Sequence, residues 1–175
     1  MTSIQTGELP QTALLNKYKR QGAYTDCYFI DVPRAVSQAE YVEAFYTTGV
    51  FRIERTILAL FASKPSTDLQ VKQLANGETK DFAAWSVEDR APNQLLLCDF
   101  LGRTRSWLMS VVDESGDSSK TRLYFGSAVV PNVDPVSGRV SLGFGFHALM
   151  GFHRLYSRIL MQSAHSQLLR SRDGK

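Results

Sequence analysis

Three histidines, two cysteines and two charged residues set among apolar ones are the positions where this chain of 175 residues could do chemistry. His147, His153 and His165 lie six and twelve residues apart, spacings that do not stack them on one helical face as an i, i+4 metal pair requires. Cys27 and Cys98 each fall inside an apparent strand, with no CxxC spacing and no neighbouring histidine. They read as small buried apolar residues of a reducing compartment, not as a disulfide, a metal site or a nucleophile. No Gly-x-Ser-x-Gly elbow is present. Gly143-Phe144-Gly145-Phe146 lacks the lysine and spacing of a phosphate loop and reads as a flexible entry to a helix. No metal and no cofactor are expected. Asp89 and Arg105 remain. Each either reaches water or a partner from a strand end, or orients a polar group of a bound molecule, because an unpaired charge on an inward face is costly. His153 adjoins an apolar helical stripe, and an imidazole with a pKa near about 6.5 transfers protons if it reaches a cavity.

Composition bounds the partners. A hydrophobic fraction of 43%, with 21% charged residues, is that of a globular domain large enough to bury a core. A net charge of +3 is too small to argue for nucleic acid. Lys17, Lys19 and Arg20, and the arginines 154, 158, 170 and 172, read as solvated faces, with phosphate or anionic-surface binding as the other use of such clusters. No apolar run reaches the ~20 residues of a membrane span, and the first twenty residues hold no secretory apolar segment. A cytoplasmic protein is expected, with oligomerisation left open.

The elements that would position these side chains follow from pattern. Residues 1–23 read as a polar leader, with a helical turn near Thr12 to Lys19. Tyr24 to Val32 is rich in aromatic and β-branched residues and stops at Pro33, a strand. Ser37-Gln38-Ala39-Glu40 is a capping box opening a helix whose Ala39, Val42, Phe45 and Tyr46 share a face and which Gly49 closes. A second helix is expected over Val50 to Ala62, and Asp68 to Ala75 is ambiguous between helix and strand. Strands follow at Phe82 to Asp89, Gln94 to Leu101, Thr104 to Val112 and Thr121 to Val130, separated by turn chemistry at Pro92-Asn93, Gly102-Arg103 and the Ser-Gly-Asp-Ser-Ser tract. Last comes a long amphipathic helix, about Phe144 to Leu169, with Leu149, Phe152, Leu155, Tyr156, Ile159 and Leu160 as its apolar stripe. Residues 171–175 are expected to be a disordered tail.

Turn lengths predict register. A two- or four-residue loop at Gly102 puts Leu96, Cys98 and Phe100 on one face with Arg105, Trp107, Met109 and Val111. The turn at Pro92 extends that face to Trp85, Val87 and Asp89. Ser106 and Ser110 fall on the opposite face, which suits water. The apolar face is expected to meet the long helix, so Trp107 should pack near Phe152 to Tyr156.

A curved antiparallel sheet gripping a long C-terminal helix, with two short helices after the first strand, resembles the helix-grip fold of the START/Bet v 1-like (SRPBCC, polyketide cyclase-like) superfamily. The likeness covers about Tyr24 to Leu169. Locally, Trp85-Ser86-Val87-Glu88-Asp89-Arg90, the Leu95 to Trp107 hairpin and Phe152-His153-Arg154 are similar to an uncharacterised bacterial branch of it. The strands found are fewer than in a full grip sheet unless Val71 to Leu74 supplies one. The resemblance implies an α+β domain over residues 24–170 with an apolar cavity between sheet and helix, and a small apolar or aromatic molecule as partner. Candidate cavity residues are Trp85, Asp89, Cys98, Phe100, Arg105, Trp107, Met109, Phe152, His153 and Tyr156. Two other functions fit the same elements. One is an enzyme of polyketide cyclase or hydratase type using His153, Asp89 or Arg105. The other is an interaction module with a filled core.

Overall fold

In a computed structural model of the chain, residues 3–53, 66–113, 120–133, 140–141 and 146–170 are described, the stretch 132–153 by its backbone alone. The elements are β1 (Gln5–Thr6), α1 (Asn16–Arg20), β2 (Tyr24–Val32), α2 (Gln38–Tyr46), α3 (Asp68–Asn76), β3 (Asp81–Phe82), β4 (Trp85–Ala91), β5 (Gln94–Asp99), β6 (Thr104–Asp113), β7 (Lys120–Val129), β8 (Asn132–Val133), β9 (Val140–Ser141) and α4 (Phe146–Arg170). Residues 49–53 are also helical; the rest of the helix expected over Val50 to Ala62 lies outside the described residues, as do the tail 171–175 and Gly143 to Gly145. None of the described helices is long and apolar enough to cross a membrane.

Local chemistry explains the helices. Ser37 accepts from the Glu40 backbone N–H while Glu40 accepts from the Ser37 N–H, the expected capping box. Thr67 and Gln70 form a second one, which resolves Asp68 to Ala75 as helix, and Gly77 ends it at φ 80° in the left-handed region that glycine tolerates. Val71 to Leu74 therefore adds no strand. The extra strands come instead from β1 and from β3, split from β4 by a turn in which Ala83 sits at φ 53°.

The sheet has seven antiparallel strands in the order β1-β2-β7-β6-β5-β4-β3, with a separate β8-β9 hairpin. The first long strand thus lies beside the last. Leu96 faces Trp107 and Cys98 faces Arg105 across β5 and β6, which is the grouping that turn length predicts. The side on which that group lies is the reverse of expectation. Leu160, Met161, Ala164 and Leu168 of α4 pack with Tyr28, Ile30, Leu95, Leu97, Leu108, Leu123 and Phe125, the alternate positions. Trp107, Met109 and Leu96 pack on the far face against Ala13, Leu15 and Tyr18. The stretch expected as a polar leader is therefore a strap across the sheet.

Three physical reasons account for the reversal. Both faces are covered, so Leu95, Leu96 and Leu97 are all fully buried and apolarity alone does not choose between them. A bulge at Glu88, between the pairs Val87–Leu97 and Asp89–Leu96, switches parity within β4. It sends Trp85 and Val87 to the helix side and leaves Asp89 on the far side. On β6, Ser106 and Ser110 face the helices, buried rather than wet. The α4 stripe is rotated as well. Ser157, Leu160, Met161, Ala164, His165 and Leu168 are buried, while Leu155 and Ile159 are 58% and 41% exposed. Small side chains at 157 and 164 let the helix approach the sheet on that side.

Candidate functional site

A cavity of about 240 Å³ lies between the sheet and the first half of α4, at the end where β4 and β6 begin and β7 finishes. Phe45 and Tyr46 of α2, Phe51, Trp85, Phe125, Tyr156 and Leu160 form its apolar wall. The aromatic rings buttress one another: Phe45 lies 5.0 Å from Phe125 and Tyr46 lies 4.8 Å from Phe51, centroid to centroid. Such tilted and edge-on pairs are stabilising beyond the area they bury and hold the wall in shape.

Hydroxyl groups run through this wall. Thr104 and Ser106 of β6, Ser127 of β7 and Ser157 of α4 line the cavity together with the ring of Tyr46. They converge because the pairs Thr104–Val129 and Ser106–Ser127 stand side by side on the helix face. The Tyr46 hydroxyl lies 3.2 Å from Ser106 Oγ. Asp26, the neighbour of Ser127 on β2, accepts from the Ser127 backbone N–H at 2.8 Å and from its hydroxyl at 2.7 Å. Among the described lining residues there is no His, Lys, Asp or Glu. The wall combines aromatic and aliphatic side chains with neutral hydroxyl groups.

Of the expected cavity residues, Trp85 and Tyr156 line it. Arg105 borders it only in part: its guanidinium lies across the sheet, where Nε is 2.7 Å from the Tyr18 hydroxyl and 2.5 Å from Glu88 Oε2. Lys17 reaches the same carboxylate at 2.6 Å. Burial pushes the Tyr18 phenol up to about 12, and the hydrogen bond to Glu88 adds to this. Burial alone would raise the Glu88 carboxyl; the contacts from Lys17, Tyr18 and Arg105 outweigh it and hold the group below its ordinary value. Arg105 thus ties the strap to the sheet through Tyr18. Asp89, also on the far side, accepts from the Arg90 N–H at 2.8 Å and lies 3.9 Å from Lys17. Cys98, expected buried, is partly exposed, and its thiol donates to the Asp99 carbonyl. Phe100 sits in the hairpin turn, 58% exposed. Trp107 and Met109 lie under the strap. The side chains of Phe152 and His153 fall outside those described.

Phe45, Tyr46, Phe51, Thr104, Ser106, Phe125, Ser127, Ser157 and Leu160 were not legible as lining residues. One signal was available: serines alternating with Leu108 on a strand flanked by apolar neighbours mark a face that is buried and hydroxyl-bearing as readily as one that is wet. Compared with known protein families, curated proteins and solved structures, the chain has no match.

Proposed function

We propose that the protein binds a small aromatic molecule carrying hydroxyl or carbonyl groups in the cavity between sheet and α4, and that it does so in a helix-grip fold of the START/Bet v 1-like kind. The observation that carries the reading is the cavity itself, with aromatic walls and Thr104, Ser106, Ser127 and Ser157 within them. Its strand order, with the first long strand beside the last and a long C-terminal helix across one face, supports the fold assignment. The volume bounds the ligand. An engineered cavity of about 150 Å³ holds benzene, so about 240 Å³ suits one substituted ring or a compact pair of rings. Binding is favoured over cyclase-type chemistry because the described wall offers hydroxyl groups but no ordinary acid or base.

Thermal-shift titration with one- and two-ring phenols, beside fatty acids and sterols, tests this. A ligand at a hundred times its Kd stabilises by about 2.7 kcal/mol, a rise of roughly 5–10 °C at this chain length. Ser157→Leu, which fills the cavity from α4, should remove the shift while the protein stays folded. If no phenol binds and native mass spectrometry of protein from its own host finds no co-purified molecule, the proposal fails.

A further inference from the structure

A second concavity, of about 550 Å³, lies on the other side of α4, between that helix and β2. Arg154 and Arg158 line it, one helical turn apart and both exposed. Like charges at this spacing repel and weaken a helix, so an anion between them relieves the repulsion. Arg154 hydrogen-bonds to Tyr24, and Tyr28 lines the same cleft as both arginines. Among the described residues, β1 pairs with β2 as far as Thr6, and the Gly7 N–H adds a bond to the Cys27 carbonyl at 3.1 Å. One carboxylate, Asp26, also borders the cleft, and it already accepts two bonds from Ser127, at 2.8 and 2.7 Å. Leu155 supplies an apolar flank between the two arginines.

We propose that this cleft is a binding site for a phosphate monoester. Its phosphate would be held by the forks of Arg154 and Arg158 and by the Tyr24 hydroxyl, and its organic part would lie along Leu155. A guanidinium matches phosphate geometry with two parallel donors. The site is separate from the interior cavity, so it stands or falls independently of the aromatic ligand proposed for that cavity.

The test is titration of the full chain, followed by amide chemical shifts, with phenyl phosphate, inorganic phosphate, and vesicles of phosphatidylglycerol or phosphatidylcholine. Phenyl phosphate should shift amides of residues 24–28 and 154–158 with a Kd of roughly 1 mM or tighter, with inorganic phosphate weaker and added salt weakening both. Arg154→Ala and Arg158→Ala should each lower affinity roughly tenfold, and Arg158→Lys, which keeps charge and loses the fork, should lower it less. Lys72→Ala, on α3 beside the opposite edge of the sheet, should leave it unchanged. Three results overturn the proposal: no shift with phenyl phosphate, an equal loss in Lys72→Ala, or binding to phosphatidylglycerol vesicles without binding of the soluble ester.

Discussion

Replacing Gln94 by alanine tests the strap most directly. Gln94 is 5% exposed at the start of β5. Its Oε1 accepts from the Leu14 N–H at 3.0 Å and the Trp107 indole N–H at 2.8 Å, while Nε2 donates to the Thr12 carbonyl at 3.0 Å. Three hydrogen bonds at a net of about 1 kcal/mol each, plus part of the cost of orphaning a fully buried indole N–H, give roughly 3–5 kcal/mol. That is a large share of the 5–15 kcal/mol that typically holds a domain together. In a chain of this length it corresponds to a fall in Tm of roughly 6–20 °C. Urea titration followed by tryptophan emission reads the loss. Limited trypsin digestion reads its location, because Lys17, Lys19 and Arg20 should become cleavable before the sheet unfolds. A Gln94→Ala protein within about 0.5 kcal/mol of the parent, with the strap still protected, would refute the reasoning and return residues 1–23 to a loosely attached leader.

Two further perturbations probe the layers on either side of the sheet. Gly126→Ala places a Cβ 2.7 Å from the Asp26 carbonyl oxygen, 3.0 Å from the Trp107 ring and 3.1 Å from Leu15. Because the nearest atom is backbone, the cost should reach the upper end of the roughly 1–3 kcal/mol typical of overpacking, read as a lower urea midpoint; an unchanged midpoint would mean that the strap does not press on β7 there. His165 is buried on the inner side of α4, its Nε2 has no partner among the described residues, and burial holds its pKa below the ordinary value despite a bond to the Asp31 carbonyl. The unfolded chain therefore takes up the proton first as pH falls, so the contribution of a neutral His165 is present above about pH 6.5 and lost below it. Stability measured from pH 7 to 5 should fall less steeply in His165→Leu than in the parent, and identical slopes would contradict this assignment.

How much of this was legible in the chain follows from which interactions are local. Ser37 and Glu40, or Gly102 at φ 70°, act over three or four residues, so the capped helix and the β5–β6 hairpin could be read directly, including the face that Leu96 shares with Trp107. The bulge at Glu88 could not. It is stabilised by Lys17, Tyr18 and Arg105, which are 71, 70 and 17 residues away in sequence, and no turn residue announces it. Ala83 at φ 53° is similar: the two-residue turn uses an alanine where pattern reading looks for glycine or asparagine.

The site was hidden by the same non-locality, with a further cause in the chemistry of hydroxyl groups. A strand reading Ser106, Trp107, Leu108, Met109, Ser110 offers one face of large apolar side chains and one of serines flanking a leucine, and a single covered face would take the first. Here the strap takes it. Hydroxyl groups can then lie beneath α2 and α4 only if each has a partner, since an unpaired buried hydroxyl is costly. Tyr46 meets Ser106, and Asp26 meets Ser127. The residues that make a polar wall tolerable inside this protein therefore sit on α2 and β2, while the wall itself sits on β6 and β7. Its recognition depends on a pairing of elements some 60 and 101 residues apart in sequence. The large apolar side chains Trp107 and Met109, which dominated the pattern, do the different work of holding the first twenty residues against the sheet.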